Sequence, residues 1–91
     1  MILFLIGKIR AMQFKILPFG ITKELVGSPT VNFTASDTTT VAALKELLFE
    51  RYPALERLNS LAIAVNGAYA SNEQVLQPDD EVVLIPPVSG G

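Results

Sequence analysis

The sequence predicts an α+β fold, a mixed β-sheet with one main helix packed on one of its faces. Three observations carry the prediction. Residues 13–19 and 81–85 are apolar, strand-like segments near opposite ends of the chain. Residues 41–52 place apolar side chains at helical spacing between them, and Asn66-Gly67 is a strong hairpin signal.

Taken in order, Gln13 to Phe19 (QFKILPF) reads as the first strand, with Phe14 and Ile16 on one face and Lys15, Leu17 and Phe19 on the other. Gly27-Ser28-Pro29 marks a turn, and Thr30 to Thr34 alternates as a second strand with Val31 and Phe33 inward. Asp37-Thr38-Thr39-Thr40 is a run of good N-cap residues, any of which can open the helix that follows. In that helix, spanning roughly residues 40–52, Val41, Leu44, Leu48 and Tyr52 share a face with Leu47 beside them, and Lys45, Glu46 and Glu50 lie outward. Pro53 disfavours helical geometry at Tyr52 and stops the run.

Residues 53–60 form a connector with room for one short helical turn. Leu61, Ile63 and Val65 alternate with Ala62, Ala64 and Asn66 as a third strand, which the type I′ turn at Asn66-Gly67 returns into a short strand over 68–70. Gln77-Pro78-Asp79-Asp80 is a turn with Pro at its favoured second position. Glu81 to Ile85 is the last strand, and Pro86-Pro87 ends it because neither residue can donate to a ladder. The last strand is apolar on both faces and suits the centre of a mixed sheet, beside the first. The order β-β-α-β-β is the pattern of a β-grasp fold.

Ninety-one residues make one domain. The β-grasp domain is expected over 12–91, with a flexible Gly-Gly tail at 87–91. Residues 1–11 are read as an accessory extension or an over-long start, with an extra strand or an oligomer contact as the alternative. Their apolar stretch, Met1 to Ile6, is too short for a signal-peptide core or a membrane span, and its basic residues follow it; a cytoplasmic protein is expected.

Composition removes most catalytic chemistry. The chain has no Cys and no His, so it lacks a thiolate nucleophile, the commonest general base and the commonest metal ligands. No metal site is expected. Seven scattered bases against nine acids leave no basic stripe for a phosphate backbone, so nucleic acid is an unsuitable partner, as is a membrane. Yet 49% of the residues are apolar, more than so small a domain can hide, which calls for a partner-binding patch.

The chemistry is placed at the end of the chain, Pro86-Pro87-Val88-Ser89-Gly90-Gly91. Two terminal glycines arise by chance in roughly one chain in 200, and a frayed end is the plain alternative. The diproline makes more of them, because it leads stiffly away from the last strand. A backbone without Cβ atoms can thread a narrow channel and offer its carboxylate to another protein. Gly91 is thus expected to be the reacting residue and Gly90 the one that must fit the channel.

From about Gln13 to Gly91 the chain resembles the MoaD and ThiS families, ubiquitin-like sulfur carriers, and within them the MoaD branch, the small subunits of molybdopterin synthase. The matching pieces are Leu17 to Gly27 (LPFGITKELVG), Thr40 to Leu44, Ala64-Val65-Asn66, and Asp80-Glu81-Val82 with the block from Pro86 to Gly91. The families usually carry Arg where this chain has Lys23. The resemblance implies that an ATP-dependent, E1-like activating enzyme adenylates Gly91 and that sulfur transfer leaves a thiocarboxylate there. The tail then delivers sulfur to a pterin precursor inside the large subunit of molybdopterin synthase, in what is expected to be a heterotetramer. It implies no bound cofactor on this chain, with ATP used by the activating enzyme.

A helix covers one face of a small sheet, so period 2 sends Leu17, Phe19, Val83 and Ile85 to the other. With Pro86, Pro87 and Val88 they form the expected partner surface, where Ala62 and Ala64 are small enough to let a partner approach. Two alternatives stay open there: docking, or residues 1–11 folding across the face. For function the alternatives are a carrier of the thiazole pathway, a ubiquitin-like modifier joined to lysines, and an interaction domain with an inert tail.

Overall fold

The computed structural model describes residues 11–58 and 60–87. Residues 1–10, and with them nearly all of the expected extension, lie outside the described residues, as do Val88, Gly90 and Gly91. Among the described residues five strands form one sheet: β1 (Ala11–Pro18), β2 (Val31–Ser36), β3 (Ala62–Val65), β4 (Ala68–Tyr69) and β5 (Glu81–Ile85). Their order is β2-β1-β5-β3-β4. β5 runs parallel to β1, and the other neighbouring pairs are antiparallel. The last strand is therefore central and beside the first, as expected.

In β1, β2 and β5 burial follows the alternation of the strand. In β1 the side chains of Met12, Phe14 and Ile16 are buried while Ala11, Gln13 and Lys15 are exposed. Val31 and Phe33 of β2, Ile63 and Val65 of β3, and Val82 and Leu84 of β5 complete the inward face. Leu61 is buried too, although β3 begins one residue later, at Ala62.

Against this face lies α2 (Val41–Arg51), whose Val41, Leu44 and Leu48 are fully buried. Its cap is Thr40, the last of the four candidates, whose hydroxyl accepts from the Ala43 N–H at 3.2 Å. The next two free amides of the helix start are satisfied from elsewhere: Val41 N–H donates to the Gln74 carbonyl and Ala42 N–H to that of Asn72. Replacing Thr40 by Ala should lower stability by about 1 kcal/mol, read from chemical denaturation. Leu47 does not join the apolar face; it is exposed, because it lies beyond the stripe that Leu44 and Leu48 press into the sheet. A 3₁₀ turn, Pro53–Arg57, follows the helix and plugs the core with Leu55, as does Leu76 from the segment before β5.

One element was not expected. A short helix, α1 (Ile21–Val26), fills what read as a loop, burying Thr22 and resting Leu25 and Val26 on the core. Six residues are too few to show a helical period, and Gly27 stops it in a left-handed C-cap, φ 85°. The two later predicted turns, at Asn66-Gly67 and Gln77–Asp80, have the required backbone. Asn66 and Gly67 both take positive φ, 53° and 87°, as a type I′ hairpin demands, and Asp79 takes 71° after Pro78, the mark of a type II turn.

Candidate functional site

Residues paired across neighbouring strands share a face of the sheet, so the register reads out the surface opposite α2 row by row. One row runs Asn32, Lys15, Glu81, and next to it Thr34 pairs with Gln13. This half is polar, and an open cleft of about 390 Å³ lies over Lys15 and Asn32 with Asp79, Asp80 and Glu81 at its lip. The following row is Leu17, Val83, Ala64, Tyr69, and beyond it Ile85 pairs with Ala62. The face opposite α2, uncovered among the described residues, is therefore divided, with charge at the end where β5 begins and apolar side chains where it leaves the sheet. The two ends of this five-residue strand are separated by roughly 13 Å.

Of the residues expected here, Leu17, Val83 and Ile85 are half-buried and adjacent. Phe19 lies one residue past β1 but continues its outward alternation, and its N–H still reaches the Leu84 carbonyl at 3.0 Å. It is 55% exposed, a large aromatic surface with nothing on it among the described residues. Ala62 is half-buried as a small residue in a shallow place should be. Ala64 corrects the expectation of an open alanine: it is buried, flanked in its row by Val83 and Tyr69.

Tyr69 was missed. It is 74% exposed and stands in the row of Leu17 and Val83. The signal was available, since a two-residue turn at Asn66-Gly67 pairs Val65 with Ala68 and hence Ala64 with Tyr69.

The exit of the tail is built by the β1–α1 loop. Pro86 and Pro87 are half-buried at the end of β5. Pro86 lies against Gly20, whose φ of 55° suits only glycine and at which a Cβ would stand 3.3 Å from the proline Cγ. The loop is held from beneath: the buried Thr22 donates both its hydroxyl and its N–H to the Phe19 carbonyl. The diproline thus leaves the sheet at its centre, against a fixed loop and beside the apolar half of the open face.

This sheet order, with one main helix across one face and a central last strand opening into the tail, defines a β-grasp domain of the ubiquitin-like class. Residues 16–91 match the ThiS family, and the chain belongs to that family. The chain is 35% identical over 83 residues to the molybdopterin synthase sulfur carrier subunit of Arabidopsis thaliana, covering 89% of this chain and 85% of that protein. Among solved structures it is similar to H. volcanii small archaeal modifier protein 1, with 26% identity and a TM-score of 0.75 over 85% of this chain and 99% of the other. It is also similar to a chain in the complex of subunits 1 and 2 of the molybdopterin-converting factor from Helicobacter pylori 26695, with 26% identity and a TM-score of 0.62 over 88% and 100%.

Proposed function

We propose that this chain is a sulfur carrier of molybdopterin synthesis, and that the carboxylate of Gly91 is the group that carries the sulfur. The observation that supports this most is the family relationship to proteins named molybdopterin synthase sulfur carrier subunits, over nearly the whole chain. The geometry agrees with it, since a diproline leaves a central strand beside an apolar docking face.

The chemistry needs a partner at every step. In the active site of an E1-like enzyme, a Gly91 carboxylate oxygen attacks the α-phosphorus of ATP, and pyrophosphate leaves. Sulfur supplied by a donor at the level of hydrosulfide then attacks the carbonyl carbon of the acyl-adenylate, the bond from that carbon to the AMP oxygen breaks, AMP leaves, the proton passes to solvent, and a thiocarboxylate remains. No cofactor is needed on this chain. The sulfur passes to a pterin precursor in the large synthase subunit, with Leu17, Phe19, Val83, Ile85 and the segment Pro86-Pro87-Val88 as the contact surface and a heterotetramer as the assembly. A narrow channel there admits Gly90. The structural likeness to one chain of the Helicobacter pylori complex supports a large-subunit partner. The reaction belongs in the cytoplasm, where ATP is at hand; among the described residues no helix is long and apolar enough to cross a membrane.

Intact mass spectrometry of the chain isolated from its own host tests the proposal. The expected result is a fraction in which one oxygen has been replaced by sulfur, located at Gly91 by fragmentation. Its absence under conditions that support molybdoenzyme activity would refute the carrier function.

A second reading is favoured by the likeness to small archaeal modifier protein 1: Gly91 becomes joined to lysine side chains of other proteins. It predicts isopeptide-linked peptides bearing the chain's last residues after digestion of host proteins. A carrier alone predicts none.

A further inference from the structure

We propose that Asn66 is a latent deamidation site, kept unreactive by the hydrogen bonds that tie it to Asp80 and Glu81. Asparagine occurs at positions 32, 59, 66 and 72, and only Asn66 precedes glycine. The reaction is intramolecular. The Gly67 backbone nitrogen forms a bond to the Asn66 side-chain amide carbon while the bond from that carbon to Nδ2 breaks. The amide proton of Gly67 goes to the departing nitrogen, which leaves as ammonia. Water then opens the five-membered imide at either carbonyl, giving aspartate or isoaspartate. A glycine on the carboxyl side presents no side chain to obstruct the attack and lets the backbone swing into it. Both residues are solvent-exposed, so water has access.

Three hydrogen bonds oppose that attack, and a fourth braces the group that makes one of them. Asn66 N–H donates to the Glu81 carbonyl at 2.9 Å, and Glu81 N–H donates in return to Asn66 Oδ1 at 2.9 Å. Asn66 Nδ2 donates to Asp80 Oδ1 at 2.9 Å, while Asp80 Oδ2 accepts from the Gln77 N–H at 2.8 Å. The amide orientation is dictated by this pattern, because Glu81 offers a donor and the Asp80 carboxylate only acceptors. Both ends of the Asn66 amide therefore face the corner before β5, and the left-handed backbone, φ 53°, holds it there. To react, the amide must leave both partners.

The product is incompatible with the corner it comes from. Aspartate at this place sets a carboxylate against that of Asp80 in place of a donor. Isoaspartate also carries the side-chain carbon into the backbone and destroys the two-residue turn on which the β3–β4 register depends. Opening of the corner thus leaves a covalent record at one position.

The test compares the folded chain, a synthetic peptide of residues 62–70, and the Asp80→Ala variant, incubated together at physiological temperature and mildly alkaline pH. Conversion at Asn66 is followed by peptide mapping and by enzymatic methylation of isoaspartate. The wild-type chain should convert at least about tenfold more slowly than the peptide, because reaction requires a local opening. Asp80→Ala should move toward the peptide rate, and beyond a Val31→Ala control, which loosens the core without touching the corner. Conversion of the wild type at the peptide's rate would overturn the proposal, as would an Asp80→Ala rate no higher than that of the wild type or the control.

Discussion

Removal of Gly91, or addition of one residue after it, should abolish charging with sulfur and leave the melting temperature nearly unchanged. The two properties reside in different parts of the chain. Among the described residues the buried core ends at Leu84, and every fully buried side chain lies between β1 and that residue. Reactivity requires the carboxylate at a set distance from the docked domain, and near-attack geometry tolerates errors of only about an ångström. One additional residue moves it by roughly 3.5 Å. Gly90→Val should fail for a different reason, a branched side chain in the channel proposed to admit only backbone. Single-turnover thiocarboxylate formation with the activating enzyme, ATP and a sulfur source, alongside melting curves, measures both. A truncated or extended chain charged at the wild-type rate would refute the assignment of the reaction to the Gly91 carboxylate.

Phe19→Asp should weaken binding to the large synthase subunit proposed as partner by about 2–4 kcal/mol while the domain stays folded. The side chain is already more than half exposed, so the free domain loses little when it becomes charged. In the complex the new carboxylate is desolvated against apolar neighbours with no partner to compensate it. Ile85→Asp weakens binding similarly but also lowers stability, because Ile85 is half-buried within β5. Tyr69→Ala shows whether the patch extends along the row to β4. Calorimetric titration gives the affinities and circular dichroism the folding; unchanged affinity for both Phe19→Asp and Ile85→Asp would remove this face as the interface.

The elements that were legible in advance are those whose period is long enough to see. Phe14, Ile16, Val82 and Leu84 alternate without interruption, and Val41, Leu44 and Leu48 repeat over two helical turns; all are buried as their spacing requires. The helix at Ile21–Val26 is shorter than two turns and opens after a glycine with no side-chain cap, so neither period nor cap announced it. Leu55 and Leu76 are plugs from irregular segments, and their burial depends on contacts remote in sequence. The open face was readable for Leu17, Val83 and Ile85 because parity alone assigns it. Gly20 at the tail exit was not, because its partner Pro86 lies across the sheet and only the β1–β5 pairing brings them together. The proposed reacting end of the chain rests on its residues and not on any geometry.

The position of β5 between β1 and β3 has a mechanical consequence. A tail drawn into a partner's channel, or caught there as two proteins separate, transmits load along the axis of the strand it extends. That strand is bonded on both sides over its length, parallel to β1 and antiparallel to β3. Tension therefore acts in shear across two ladders at once, and their bonds must yield together. An edge strand such as β4, peeled from one end, would give them up one at a time. A domain built this way resists unravelling when pulled by its tail, and force-spectroscopic extension from the carboxyl end should meet a higher rupture force than the same pull applied through β4.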